Sequence, residues 1–177
     1  MPDGSVLTNV TGDVDIELND LLESLGTALD GIEAIGDQLF ISDNQALETI
    51  DTFNALASVG SFVEIFSNAA LTGITGFRSL EEVPGKLEIS SNANLANVTG
   101  FQSLETVGGD VVISNNAQLT SVAGLGNLQT VSGDLTLDDL PSLDELTSLT
   151  TVGGNCFIDP SLFDSAPQNV RDACGVP

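Results

Sequence analysis

The chain lacks histidine, tryptophan and tyrosine altogether, and only 3 of its 177 residues are lysine or arginine. Histidine is the commonest general base and metal ligand, so its absence removes the side chain on which most catalytic and metal sites rely. Phenylalanine is the only aromatic residue left to form the centre of a binding surface. We therefore predict no enzyme activity, no catalytic residue, no metal site and no cofactor.

Positive charge is scarce while acidic residues are plentiful: 26 of them give the chain a formal net charge of −23. Nucleic acids and anionic membrane surfaces repel such a field, so neither is an expected partner. No apolar run approaches the ~20 residues of a membrane span, and no membrane insertion is predicted. We interpret the acidic excess as a means of staying soluble in salt, with a specific cation-binding role as the alternative.

The dominant feature of the sequence is a repeat. Residues 83–106 read VPGKLEISSNANLANVTGFQSLET, and the units on either side follow the same pattern. The hydrophobic residues that open successive units are Val10, Ile35, Val59, Val83, Val107, Val131 and Val152. Their spacings are 25, 24, 24, 24, 24 and 21 residues. A fixed period in the twenties is typical of a solenoid, in which each coil buries its apolar side against its neighbours.

Within a unit, the hydrophobic residues favour short strands over a long helix. Leu87 and Ile89 alternate with polar residues, so both are expected to point inward. From Leu95 onward, a spacing of three fits further short segments, because Asn or Gly interrupts each one. We predict an all-β solenoid of about six to seven parallel coils with three short strands per coil. Residues 1–177 would form one domain: an N-terminal cap with a first irregular coil (1–34), regular coils (35–158) and a C-terminal cap (159–177).

Two columns of equivalent residues support this alignment. An asparagine column contains Asn19, Asn44, Asn68, Asn92 and Asn116. A column inside the core contains Phe53, Phe77 and Phe101 and continues with Leu125. We interpret both as structural, because stacked Asn side chains can bond turn backbone and stacked rings can fill one corner of the core. Gly76, Gly100 and Gly124 precede the second column, where we expect turns with positive φ.

The two ends depart from the repeat, as the caps of a solenoid must. Near the N-terminus we expect a short helical turn that contains Leu21, Leu22, Leu25 and Leu29. Near the C-terminus we expect a short helix with Ser165 as its N-cap, Pro167 in its first turn and Gly175 at its end. The side chains expected to cover the last coil are Leu162, Phe163 and Val170.

Cys156 and Cys174 are the only cysteines, and both lie near the C-terminus. Cys156 occupies the inward position equivalent to Leu87, so a buried partner is geometrically reasonable. A disulfide that ties the cap to the last coil is favoured, with two free buried thiols as the alternative. The disulfide implies an oxidising compartment, and we expect an extracellular or cell-surface protein.

The repeat carries a family resemblance in the pattern L-x-I-x-x-N-x-x-L-x-x-V-x-G-F-x-x-L-x-x-V-x-G, which runs here from Leu87 to Gly109. It resembles the receptor L-domain type of leucine-rich repeat, found in insulin- and EGF-receptor ectodomains and in many microbial surface proteins. Ala93 and Asn94 follow Asn92 where ordinary leucine-rich repeats have a single residue. The likeness covers roughly residues 10–158 and implies a right-handed solenoid with one broad sheet that can bind partners. The receptors' cysteine-rich modules and basic contacts are absent, so hormone binding is not implied.

The side chains that alternate with Leu87 and Ile89 would form the outward face of that sheet. Most of this face is polar, but Phe40, Phe62 and Phe66 lie on two adjacent coils. An exposed aromatic cluster typically marks a contact surface, so we predict a partner-binding site there. The alternative is that a loop covers these rings or that the strand register slips. The predicted site also includes the flanking residues Glu64, Lys86 and Glu88.

Acidic residues form two further groups on the same face. One contains Asp13, Asp15 and Glu17, and the other contains Asp134, Asp138 and Asp159. Carboxylate oxygens could hold a hard cation, but a solvated face is the favoured interpretation. Two sequons, which start at Asn9 and Asn97, would accept glycans in a eukaryotic secretory pathway.

Three classes of function stay open. The favoured one is a non-catalytic recognition or adhesion module that binds a protein or glycan on the broad sheet. The second is a structural surface protein that self-associates. The third is a carbohydrate-active enzyme built on Glu64 or Glu88, although Lys86 is the only basic residue near them on the sheet. An ice-binding face is rejected, because Thr136 is the only threonine in the outward column.

Overall fold

The computed structural model describes residues 8–138, 140–164 and 166–175. They form a parallel β-solenoid, as predicted, in which about six turns connect the first and last strands of one broad sheet. The seven strands of the broad sheet are Val14–Glu17, Leu39–Ser42, Val63–Phe66, Leu87–Ser90, Val111–Ser114, Leu135–Leu137 and Cys156–Ile158. Each strand pairs in parallel with the equivalent strand of the next coil.

Two-residue strands form the other sides of the coils. One side contains Asn9–Val10, Ala34–Ile35, Ser58–Val59, Glu82–Val83, Thr106–Val107, Thr130–Val131 and Thr151–Val152. The third side contains Thr49–Ile50, Gly73–Ile74 and Asn97–Val98. In the next coil a 3₁₀-helix, Ala123–Leu125, follows this third side. Three short strands per coil are therefore confirmed for the central coils.

Identical registers stack the hydrophobic residues into one continuous core. Leu87 lies between Val63 and Val111, and Ile89 lies in the equivalent way between Ile65 and Ile113. All of these side chains are buried. Because a strand's side chains alternate between its two faces, this register also fixes which residues point outward.

The predicted asparagine column is a continuous hydrogen-bonded ladder. The Oδ1 atom of Asn68 accepts the backbone N–H of Asn44 at 3.1 Å, and the Oδ1 atoms of Asn92 and Asn116 each accept the equivalent bond from the coil before at 3.0 Å. The amide nitrogen of Asn68 donates to the carbonyl oxygen of Ile41 at 2.9 Å. These buried asparagines satisfy backbone groups that the bend would otherwise leave unpaired.

The column of buried phenylalanines is also confirmed, but the backbone around it differs from the prediction. The rings of Phe53, Phe77 and Phe101 stack nearly parallel, with centroids 5.4 Å and 4.6 Å apart. These phenylalanines themselves have positive φ, at 63°, 61° and 58°, whereas Gly76 and Gly100, which precede Phe77 and Phe101, do not. A Cβ atom on Gly76 or Gly100 would overlap a carbonyl oxygen of the preceding coil. The glycines therefore serve close coil stacking, and the expectation of a positive-φ glycine turn was wrong.

The helical turn expected near the N-terminus is wrong as well. Residues 20–32 form turns, with Leu21 91% exposed and with Leu25 and Leu29 packed against the core. The backbone of this segment pairs with the next coil: Ser24 bridges Thr49 in parallel. In a helical turn these N–H and C=O groups would bond within the segment and could not pair with the next coil. Pairing between coils therefore decides the local conformation.

The C-terminal cap contains two short helices, Pro160–Phe163 and Gln168–Ala173. Pro167 is the N-cap of the second helix, so its expected place in the first turn was wrong; Gly175, with φ 67°, follows the helix end as predicted. The predicted N-cap, Ser165, lies outside the described residues. Val170 is fully buried, Leu162 packs against the core and Phe163 is half-buried.

The predicted disulfide joins Cys156 to Cys174, with their Cα atoms 5.7 Å apart. It links the second cap helix to the last strand of the broad sheet. The side chain of Asn169 adds two hydrogen bonds from the cap to the carbonyl oxygens of Leu146 and Leu149, at 2.9 Å and 3.0 Å. Among the described residues, no helix is long and apolar enough to cross a membrane.

Candidate functional site

The three phenylalanines predicted to point outward do so. Phe40 lies between the buried Leu39 and Ile41, while Phe62 precedes the strand Val63–Phe66 and Phe66 ends it, on the face opposite the buried Val63 and Ile65. All three rings are half-buried, whereas the inward residues beside them are fully buried. The strand register therefore does not slip here, and we refer to Phe40, Phe62 and Phe66 as the aromatic patch.

The rings of the aromatic patch pack edge to face. The ring centroids of Phe40 and Phe62 lie 5.4 Å apart at 88°, and those of Phe40 and Phe66 lie 6.1 Å apart at 76°. Phe66 lies between Ser42 and Ser90 on the neighbouring strands, and both serines are buried. Small neighbours give the ring room to lie on the sheet. The contacts between the rings fix the patch as one hydrophobic surface that spans two coils.

A charged cluster lies next to the aromatic patch. Glu64 and Glu88 are side by side in register on adjacent strands, where two like charges repel. The ammonium group of Lys86 lies between them, 2.5 Å from a carboxylate oxygen of Glu64 and 2.6 Å from one of Glu88. The hydroxyl of Ser90 donates to the other oxygen of Glu88 at 2.6 Å. We refer to Glu64, Lys86 and Glu88 as the carboxylate clamp.

The surroundings of Lys86 and Glu88 favour the charged form of both side chains. Burial alone would lower the pKa of Lys86, but hydrogen bonds and attraction to Glu64 and Glu88 outweigh this effect and raise it above 10.5. Burial alone would raise the pKa of Glu88, but hydrogen bonds from Lys86 and Ser90 and the lysine charge lower it below 4.5. Lys86 and Glu88 are therefore an ion pair throughout the neutral pH range.

Several acidic residues on the same face have a structural role that the sequence did not reveal. The residue just before a broad-sheet strand accepts a backbone N–H from the next coil: Asp110 accepts that of Asp134 at 2.8 Å, and Asp134 accepts that of Asn155 at 2.7 Å. Asp13 makes a longer bond of the same kind to Gln38 at 3.4 Å. The signal that could have revealed this role is the aspartate that recurs just before a strand of the broad sheet, at Asp13, Asp110 and Asp134. In the described part of the chain, no three acidic or cysteine side chains are close enough to hold a metal ion.

Other exposed apolar residues lie away from the aromatic patch. Phe157 is 53% exposed on the last strand of the broad sheet, where it pairs with Thr136. Leu18 and Leu21 are exposed near the first coil. Phe157 lies in Cys156–Ile158, four coils from the strand of Phe62 and Phe66, so it is not part of the patch.

A shallow groove runs along the third side of the solenoid. It is lined by Glu48, Ala70, Thr72, Asn94, Ala96, Gln118 and Thr120. The hydroxyls of Thr72 and Thr120 donate to the carbonyl oxygens of Glu48 and Ala96, at 3.0 Å and 2.9 Å. These polar groups therefore serve the stacking of coils. Of the two sequons, Asn9 is exposed, while Asn97 is half-buried in the strand that lies beside Gly73.

No protein-family model, curated protein or solved structure matches this chain. The resemblance to the receptor L-domain repeat therefore stays a prediction that rests on the quoted pattern. The architecture defines the class of the molecule as a parallel β-solenoid with a disulfide-linked C-terminal cap.

Proposed function

We propose that this protein is a non-catalytic recognition or adhesion module that binds a protein or glycan on its broad sheet, in the manner of receptor L-domain-like repeats. The observation that carries the proposal is the aromatic patch. Three phenylalanines lie on the outward side of two adjacent coils, where the repeat elsewhere places mostly polar residues. An apolar surface of this kind, surrounded by charge, is typical of an interaction site.

The scaffold suits such a site because it is rigid. Parallel strands on both sides of the patch are hydrogen-bonded coil to coil, and the buried asparagine ladder continues beneath the bends. A surface that is already ordered loses little conformational entropy when a partner binds, so more of the contact energy appears as affinity.

The disulfide supports a location outside the reducing cytosol. Disulfides such as Cys156–Cys174 form and persist in oxidising compartments. The net charge of −23 keeps such a domain soluble where salt is abundant. We therefore propose that the module works in the extracellular space or on the cell surface.

Self-association is the second candidate function, and the charges at one edge of the broad sheet oppose it. In the described part of the chain, Val14–Glu17 is the edge strand of that sheet, and its outward residues are Asp15 and Glu17. Acidic side chains on an edge strand discourage pairing with another copy. The opposite end is covered by the cap helices that Cys174 ties to the sheet.

Catalysis on the sheet is the third candidate. Glu64 and Glu88 are the carboxylates nearest to the patch, and the ammonium group of Lys86 binds both. General acid–base chemistry on a sugar requires two carboxylates with different protonation states, and the pKa of Glu88 is lowered. The lowered pKa of Glu88 therefore disfavours its use as the general acid of such a pair.

A binding screen tests the proposal. The wild-type protein and the double variant Phe62→Ser/Phe66→Ser would be applied to a glycan array and to a panel of displayed cell-surface proteins. Phe157→Ser is the matched control, because it removes an exposed phenylalanine from the same sheet outside the patch. We expect ligands that bind the wild type and the control but not the double variant. Ligands that bind all three equally would show that the patch is not the site.

Light scattering over a range of protein concentrations distinguishes self-association from recognition of a foreign ligand. A monomer at every concentration supports recognition of a foreign ligand. Concentration-dependent assembly that Phe62→Ser/Phe66→Ser abolishes would mean that the ligand of the patch is a second copy of the chain.

A further inference from the structure

Resting on the proposed function of the aromatic patch, we propose that its ligand is a cationic protein segment, in which basic side chains lie on both sides of an apolar centre. The inference comes from the order of charges along the broad sheet. The patch lies on the second and third coils, and acidic groups lie on the coils before and beyond it. The sequence of surfaces that a segment would cross is acidic, aromatic, then acidic again.

On the N-terminal side, the acidic surface adjoins the patch directly. Asp15 pairs in register with Phe40, and Glu17 pairs with Ser42 at the end of the same strand. Adjacent strands lie about 4.8 Å apart, whereas the Debye length at physiological salt is ~8 Å. Salt therefore screens only weakly the attraction between these carboxylates and a basic group bound at the patch. Both side chains are exposed and can meet a ligand.

On the C-terminal side, acidic residues recur beyond the clamp. Asp110 precedes the strand Val111–Ser114, and Asp134 and Asp138 flank the next strand, Leu135–Leu137. The coil of Asp15 and the coil of Asp110 are four steps apart, or about 19 Å at the usual spacing of strands. An extended peptide advances by ~3.3 Å per residue and spans that distance in about six residues.

The centre of the surface needs no cation from the ligand. Lys86 already occupies the position between Glu64 and Glu88, within 2.6 Å of both. The apolar part of the ligand would therefore lie on the rings, and its basic groups would meet the outer carboxylates. This arrangement predicts two basic residues with about four to six residues between them, the intervening ones being mainly apolar.

The packing of the rings favours a peptide over a glycan. Phe40 stands at 88° to Phe62 and at 76° to Phe66, so the three rings share no plane on which sugar rings could stack. Sugar hydroxyls also require available polar partners, and the clamp carboxylates next to the rings bond Lys86 and Ser90. Apolar side chains fit between rings that stand at an angle to one another.

Selection from a random twelve-residue peptide library displayed on yeast tests the inference. Cells that bind the wild-type protein would be kept, and those that also bind Phe62→Ser/Phe66→Ser would be discarded. We expect enrichment of peptides with Lys or Arg on both sides of an apolar centre. Enrichment of neutral or acidic peptides, or of none, would overturn the inference. A glycan that binds through the patch would overturn it too while leaving the proposed function intact, and binding that never depends on the patch would overturn both.

Charge variants sharpen the test with the best enriched peptide, made synthetically. Lys86→Gln should raise its affinity, because the variant leaves Glu64 and Glu88 without their cation; an anionic ligand would bind this variant more weakly. Asp15→Asn/Glu17→Gln should lower the affinity by up to about fivefold per charge. The matched control Glu81→Gln/Glu82→Gln removes two charges at a different side of the solenoid and should change little. If neutralising Glu81 and Glu82 lowered the peptide affinity as much as neutralising Asp15 and Glu17, the proposal would be contradicted.

Discussion

The molecule contains two clusters of three phenylalanines, and they are arranged differently. Inside the solenoid, the rings of Phe53, Phe77 and Phe101 are fully buried and stack within 8° of parallel. On the broad sheet, the rings of the aromatic patch are half-buried and stand at 76° and 88°. The inner cluster recurs once in each of three successive coils, whereas the outer cluster occupies two coils and then stops.

The comparison suggests how to separate structural from functional residues in a repeat protein. A residue that recurs at the period of the coil satisfies the same packing demand in every coil, as the inner rings and buried asparagines do. The outward phenylalanines do not recur at that period, since they lie on two adjacent coils and on the last one, so no packing demand shared by every coil accounts for them. The fold therefore explains the inner cluster, and the outer cluster is the basis of our proposal that a ligand binds there.

Breaking the inner cluster should have the largest effect. Phe77→Ala removes the middle ring of the stack and should lower the free energy of unfolding by about 3–5 kcal/mol, because it leaves a cavity between two buried rings. Chemical denaturation gives the value. The graded control is Phe77→Leu, since Leu125 continues the column naturally; it should cost clearly less. Equal costs for the two variants would contradict the cavity explanation, because the loss would then not depend on how much of the ring's volume is refilled.

Crowding the same corner should have the next largest effect. Gly100→Ala places a methyl group against the carbonyl oxygen of Gly76 and should cost about 1–3 kcal/mol through overpacking. The matched control is Gly12→Ala, whose methyl group would meet no atom within 4 Å; it should change stability by less than about 0.5 kcal/mol. If both variants melt like the wild type, the coils are stacked less closely than described.

Salt should raise the stability of the chain and weaken binding at the aromatic patch. Between about 0.1 and 1 M NaCl the Debye length falls roughly threefold, so repulsion within a chain of net charge −23 weakens and the melting temperature should rise. Binding of a cationic peptide to the aromatic patch should weaken over the same range. A melting temperature that falls or stays constant would contradict the first expectation, and salt-independent binding would contradict the second.

The carboxylate clamp should give the smallest effect and a characteristic pH dependence. The lowered pKa of Glu88 means that its contribution to stability is present above about pH 4.5 and is lost as the pH falls through its folded value. The raised pKa of Lys86 means that its contribution is present below about pH 10.5 and is lost as the pH rises through its folded value.

Comparing the wild type with Lys86→Met isolates this contribution. We expect a difference in unfolding free energy below about 1 kcal/mol at neutral pH, as for other partly exposed ion pairs. Near about pH 3, where carboxylates protonate, the difference should shrink towards zero. Phe77→Ala is the control, because its cost should not change with pH in this way. A Lys86→Met difference that is constant from acid to neutral pH would contradict the role of the clamp.

The sequence predicts most of the fold because stacked coils impose the same demand every 24 residues. Period, strand register, the asparagine ladder and the outward direction of Phe40 all follow from that repetition. Predictions from local rules fared worse. Glycine's usual preference suggested a positive φ at Gly76, but Phe77 adopts it instead. Ring stacking and close contact between coils outweigh that preference here. The leucines of residues 20–32 suggested a helix, but bonds to the next coil prevailed.

The candidate site could be predicted only in part. Alternation along the strands places the aromatic patch on the outward face, and adjacent coils bring its rings together. The sequence named Glu64, Lys86 and Glu88 as neighbours of the patch, but it could not show that Lys86 bonds both carboxylates. Long side chains reach partners according to their rotamers, and a repeat pattern carries no information about these.

The most direct test of the central claim is to measure stability and binding on one variant, Phe62→Ser/Phe66→Ser, with its ligand from the selection or screen. If the outer rings serve a ligand, this double variant stays folded, loses less unfolding free energy than the single variant Phe77→Ala, and no longer binds. If it unfolds, the outer rings are part of what holds the fold together. If it folds and binds as well as the wild type, the aromatic patch is not a binding surface.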